Sequence, residues 1–378
     1  MNRILISTIV LSASLAYSAG PAPTQRSARQ VLILRPVPAQ GPALEFDYRF
    51  GNAVPPFEKE PALEGKEIAR GLIPTVPPTP LIRNITDREL YLKADHGRDF
   101  TTGPLATYKS QCRDGIHVSF ENVRVFSERG PLAIPYTVSV NTYQHLFAGR
   151  LFVQSGWSGS LELDGRSWRF TIVDNLDGQI DDQDRLFLRD MQKAPGVRTH
   201  DCPVPQILFL NGHTFQMDYA FQQAGSDVVL EAGMTEVQVP TGELKLEAGG
   251  CCGVVLREDR RIVLLDGLEG TLSVPAGRYQ IDNCLLEHKP DQWRIPQFAG
   301  CEQAVSVQPG QTTSLRMGCP LSNVIAVTRD RNLLHLKYRL TGAGGELYEY
   351  EGAGSANPPL FRVYKGPMKV ASSAFGGG

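Results

Sequence analysis

Apolar and polar residues alternate with a period of two along much of this chain, and the clearest instance brackets Asp164 and Gly165. Asp-Gly is a pair that a type I′ turn favours, so its flanks are expected to form a hairpin with a two-residue loop. In that register Leu163 faces Arg166, Leu161 faces Trp168, Gly159 faces Phe170 and Trp157 faces Ile172. The opposite face carries Ser158, Ser160, Glu162, Ser167, Arg169 and Thr171. One face packs and one meets water, as an antiparallel sheet requires. Trp157 and Trp168 are thus expected in the core, with Gly159 making room for the Phe170 ring. A second hairpin is expected at Asn211-Gly212, with Leu208, Leu210, Phe215, Met217 and Tyr219 on one face.

Similar short runs continue to the C-terminus, punctuated by 27 prolines and 37 glycines. A helical period of 3.6 is nowhere sustained; one short helix is expected near 63–71. The class is all-β, an N-terminal antiparallel sheet domain (42–236) followed by a disulfide-stapled β-sandwich (237–378). Residues 20–41 read as a linker, to which Val31 to Leu34 add an edge strand. Residues 54–80, with Pro55, Pro56, Pro61, Pro77, Pro78 and Pro80, read as irregular chain over a sheet.

Residues 1–19 read as a signal peptide. Arg3 supplies a positive start, Ile4 to Leu15 an apolar stretch, and Ala16 to Ala19 the small residues of a cleavage region. That stretch is too short for a transmembrane anchor, and no later run approaches the length needed. The expected location is therefore secreted, periplasmic or extracellular. Lys+Arg of 38 against Asp+Glu of 40 leaves no basic excess to attract nucleic acid.

The chain has 7 cysteines, with Cys251, Cys252, Cys284, Cys301 and Cys319 crowded together. None has C-x-x-C spacing, so disulfides are favoured over a metal site. Cys284 and Cys301 flank a loop whose closure is worth about 3 kcal/mol in the chain-entropy model. Adjacent Cys251 and Cys252 would point to opposite faces of a strand and need different partners.

Two acidic loops, each after a strand-like run, are the candidate chemistry. The first runs from Leu90 to Thr101 and offers Asp95 and Asp99; the second offers Asp174, Asp177, Asp181, Asp182 and Asp184. Calcium takes six to eight oxygen ligands, so several carboxylates in one loop make calcium the candidate cofactor. The match to an EF-hand is partial. With Gly178 as the turn glycine, Asn175, Asp177 and Asp184 fall on ligand positions, but Val173 occupies the first. The competing reading is an Asx turn anchored by Ile180, with Arg185 and Arg189 neutralising the acids.

The histidines do not assemble into a metal or hydrolase motif. Ser155 to Gly159 precedes a strand, unlike a nucleophile elbow. His200-Asp201-Cys202 juxtaposes reactive types that sequence neighbours rarely combine. Trp293 is the aromatic expected to be exposed.

Thr271 to Ile281, with Pro275-Ala276-Gly277 between strands, resembles carboxypeptidase-regulatory-like (transthyretin-like) β-sandwich modules, as does Val305 to Leu315 around Pro309-Gly310. The resemblance covers 237–317 and implies a non-catalytic accessory module in which Tyr279 and Ile281 point inward. The whole chain is also similar to exported bacterial all-β proteins without assigned activity. The likeness lies in Leu90 to Thr101, Gly156 to Gly159 with Asp164 to Trp168, Gly318 to Asn323, Gly342 to Glu346 and Pro358 to Val363.

The function expected is an exported non-enzymatic structural or binding protein of the cell envelope, stabilised by calcium, with polysaccharide or an envelope protein as partner. The alternative is a secreted glycan-directed hydrolase using the loop carboxylates. An outer-membrane barrel is disfavoured, because irregular loops replace regularly spaced lipid-facing strands.

Overall fold

In the computed structural model, the described residues are 29–38, 44–49, 57–60, 63, 66–93, 95–97, 99–101, 105–112, 117–143, 148–193, 199–266, 270–286, 296–331, 333–350 and 360–374. Residues 1–19, expected as a signal peptide, and Trp293 lie outside them, as do the side chains of Cys112, Cys251 and Cys252. Among the described residues every regular element is a strand, as the period-two pattern requires. Among the described residues no helix is long and apolar enough to cross a membrane. Among the described residues the helix expected near 63–71 does not form. The chain there enters the strand Ile68–Ile73, whose buried positions alternate at Ala69, Gly71 and Ile73.

Three sheets enclose the first core. One pairs Ile68–Ile73, Thr79–Asn84, Glu89–Lys93 and Leu105–Lys109 in that order. A second is built on the long hairpin His117–Arg129 with Leu132–Tyr143. The third, twelve strands wide, carries the hairpin Ser155–Leu163 with Arg166–Val173. Leu81 and Leu92, Phe120 and Val138, and Trp157 and Trp168 meet in this one apolar cluster.

The expected hairpin register is observed pair for pair, from Leu163 opposite Arg166 to Trp157 opposite Ile172. Positive φ angles of 50° at Asp164 and 75° at Gly165 explain why the turn takes this pair. Both tryptophans are buried. The second hairpin also forms around Asn211-Gly212, with Leu208 opposite Phe215. Phe209, on its other face, is covered by the second core.

The role of Gly159 differs from expectation. It does face Phe170, but a Cβ there would meet the Ile33 carbonyl oxygen at 2.8 Å. The missing side chain admits another strand, Gln30–Pro38. That segment, expected as linker and edge, is instead an interior strand between Ser155–Leu163 and Asp227–Glu236. Its pairing is entirely long-range, which local pattern does not reveal.

The second core fills the space between that wide sheet and a three-stranded sheet of Gly270–Pro275, Thr241–Gly249 and Thr312–Gly318. Tyr279 and Ile281 point into it, as do Val305 and Val307. One sheet crosses the boundary expected at 236/237, because Ile207–Leu210 pairs in parallel with Arg261–Asp266. The expected Cys284–Cys301 staple is not formed. Cys284 is buried in the core with the Tyr348 hydroxyl 3.4 Å from its Sγ, whereas Cys301 is only half-buried.

Candidate functional site

The second acidic loop is the corner between the antiparallel strands Arg166–Val173 and Arg185–Asp190. It turns by feeding carboxylates back into its own backbone. Asp174 Oδ1 accepts from the amides of Leu176 at 2.6 Å and Gly178 at 3.4 Å, and Oδ2 accepts from the Tyr136 hydroxyl at 2.9 Å. Asp184 accepts from the amides of Asn175 at 2.8 Å and Asp181 at 2.7 Å, tying the end of the loop to its beginning. Asp177 and Asp181 each accept from the amide two residues on, at 2.7 and 2.8 Å, the geometry of Asx turns. Ile180 packs on the core as expected, but the fully buried anchor is Leu176, whose carbonyl accepts from Ser127.

Asp174 and Asp184 are both fully buried. Burial, which disfavours the charged form, pushes Asp174 up to about 7 despite the Tyr136 bond that opposes the shift. Burial, with the Asp174 charge adding to it, pushes Asp184 up to about 8. The arginines expected to neutralise them do not. Arg185 turns to Asp201 at 2.8 Å, and Arg189 Nε is buried without a hydrogen-bond partner. Nor do the five loop carboxylates converge: among the described residues no three His, Cys, Asp or Glu side chains form a group able to hold a metal ion.

Asp182 is exposed and points elsewhere. It lines an open polar cleft of about 490 Å³ with Arg257, Glu258, Asp259, Arg278 and Gln280. Much of that charge is matched within the protein. Arg257 bonds Asp282 at 3.2 Å, and Glu258 accepts from Arg261 at 2.9 Å and from the Arg278 amide at 2.8 Å.

The first loop is electrostatically different. Asp95 is paired with the buried Lys93 at 3.2 Å, and Asp99 with Lys59 at 3.1 Å. Bonds from the Thr101 hydroxyl and amide hold the Asp99 carboxyl down at about 2. Of the two loops, among the described residues, the second is the one that buries acids without a lysine or arginine as hydrogen-bond partner.

Sequence reading missed a second polar centre. Buried Asp266 accepts from Arg166 at 2.8 Å, from Lys193, and from His200 Nε2 at 3.1 Å. Burial would raise its pKa, but His200 and Lys193 outweigh that and lower it. His200 and Cys202 both face inward on one strand, yet Cys202 Sγ approaches the Leu186 carbonyl at 3.7 Å and burial pushes its thiol up. The adjacent His-Asp-Cys run therefore forms no reactive pair. Tyr136 and Asp266 lie far in sequence from their partners, so nothing local marks them. No family model, curated protein or solved structure matches this chain.

Proposed function

We propose that this chain is an exported, non-catalytic structural or binding protein of the cell envelope, and that the corner from Asp174 to Asp184 is its calcium-responsive element. One observation carries the reading: the corner's acids serve its own backbone, and among the described residues its two buried carboxylates have no lysine or arginine as hydrogen-bond partner. A divalent cation would displace the protons that burial favours on these two carboxyls and take their place among the loop oxygens. Binding would first have to release Asp177 and Asp181 from their turns. An affinity on the order of 10⁻⁴ to 10⁻³ M, as in extracellular modules, is therefore expected. Export rests on the pattern of residues 1–19, and the accessory-module reading on the motifs of 237–317.

The test is a thermal melt of the mature chain in calcium and then in EDTA, repeated on Asp177→Asn. Calcium at 100 times its Kd adds about 2.7 kcal/mol, an upward shift of roughly 5–10 °C for a large domain. The shift should vanish in the variant. Coincident curves would remove calcium from the reading. Attention would then move to polysaccharide binding and hydrolysis at the cleft where Asp182, Glu258 and Asp259 stand together.

A further inference from the structure

The strand Ser322–Asp330 is the outer member of a four-stranded sheet, and among the described residues no strand pairs with its free edge. All nine of its residues are exposed. Its middle, Val324-Ile325-Ala326-Val327-Thr328, is uncharged, free of proline and rich in β-branched residues. Val324 is 42%, Ile325 48% and Val327 58% exposed. Soluble proteins guard such edges with lysine, proline, a bulge or a covering loop. Here the only charges, Arg329 and Asp330, stand at one end, and the pairing with Leu333–Thr341 runs without a bulge.

The exposed apolar face continues a buried one. Ile325 lies opposite Tyr338 and Val327 opposite Leu336, while further in Leu340 is buried in the second core. The sheet therefore overhangs its core. The other face pairs Val324 with Arg339 and Ala326 with Lys337, so it is cationic.

We infer that this edge is a self-association surface on which the same strand of a second copy pairs antiparallel, about a two-fold axis at Ala326. The sequence is complementary to itself in that register. Ser322 faces Asp330, Asn323 faces Arg329, Val324 faces Thr328 and Ile325 faces Val327, so apolar residues meet at the centre and no charge faces its like. Lys337 and Arg339 stand one strand back on each side. Three strand spacings, about 14 Å, separate them from their copies, beyond the Debye length of about 8 Å in physiological salt. The join produces one eight-stranded sheet with a continuous apolar face. It depends on the edge alone and stands whether or not the corner binds calcium.

Sedimentation velocity of the whole mature chain over about a hundred-fold range of concentration tests this. The expected result is a monomer–dimer equilibrium that Ile325→Lys abolishes while circular dichroism stays that of the parent and the melting midpoint matches the parent's at the lowest concentration, where the parent is monomeric. Val327→Lys, on the same face, should do likewise. In a Cys319→Ser background, Ala326→Cys should cross-link as a symmetric dimer under mild oxidation, and Arg329→Cys, far from the axis, should not. A chain that stays monomeric throughout overturns the inference and leaves the edge to a strand from another protein. A dimer that survives both lysine variants, or cross-links equally through position 329, overturns it too.

Discussion

Asp174 and Asp184 hold protons that the unfolded chain would have released. Their carboxyls are raised to about 7 and about 8, whereas an unfolded aspartate titrates at about 3.9. Between those values the native state binds more protons, so stability falls as pH rises, with a slope of up to about 1.4 kcal/mol per pH unit for each proton held. This contribution is complete below about pH 4 and lost by about pH 8. Urea midpoints measured at about pH 5, 6.5 and 8 should therefore decline, and Asp184→Asn should flatten the decline while keeping one acceptor oxygen. A wild-type midpoint that rises over this interval would show the pair to be ionised in the native state. A second residue-scale expectation concerns Gly253. A Cβ there would lie 2.1 Å from His200 Cε1 and 2.9 Å from Nε2, the ring nitrogen that Asp266 holds. Gly253→Ala should cost about 1–3 kcal/mol by overpacking, read from chemical denaturation. The acids of the corner were legible because they crowd in one short stretch. Their burial was not, because Tyr136 and Ser127 come from a different hairpin.

At the scale of elements, legibility followed contact distance along the chain. The Asp164-Gly165 and Asn211-Gly212 hairpins were readable because turn chemistry and alternation sit within a few residues of each other. The Pro275-Ala276-Gly277 join is not the hairpin reversal its pattern suggests: its flanking strands lie in different sheets and bury Val274, Tyr279 and Ile281 between them. Gln30–Pro38 was misread because both of its partners are remote and its prolines suggest a linker. Those prolines are tolerated late in the strand, where Pro36 and Pro38 pair with Trp157 and Ser155. The disulfide expectation counted cysteines without knowing the core: Cys284 lies buried against Tyr348. The glycine-rich turn Gly342 to Glu346 also found a local purpose. Glu346 is buried and accepts from the amides of Gly318 and Gly344, with the Tyr348 hydroxyl 3.0 Å away.

For the whole molecule, the decisive element is the strand near the start of the chain. Leu34 is fully buried and pairs with Leu230, while Arg35 to Pro38 pair with Ser158 to Ser155. Deleting residues 29–38 should open two edges in the interior of the wide sheet, expose Trp157 and replace one cooperative transition by two. Tryptophan emission and calorimetry on the truncated chain would check this, and an unchanged single transition would refute it. The same strand sets a schedule for synthesis. Its groove is incomplete until the chain has been made past Glu236, so at about 5–20 residues per second the first apolar strand waits unseated for roughly ten to forty seconds. Throughout that interval Val31-Leu-Ile-Leu34 is an open invitation to mispairing or to a holding chaperone.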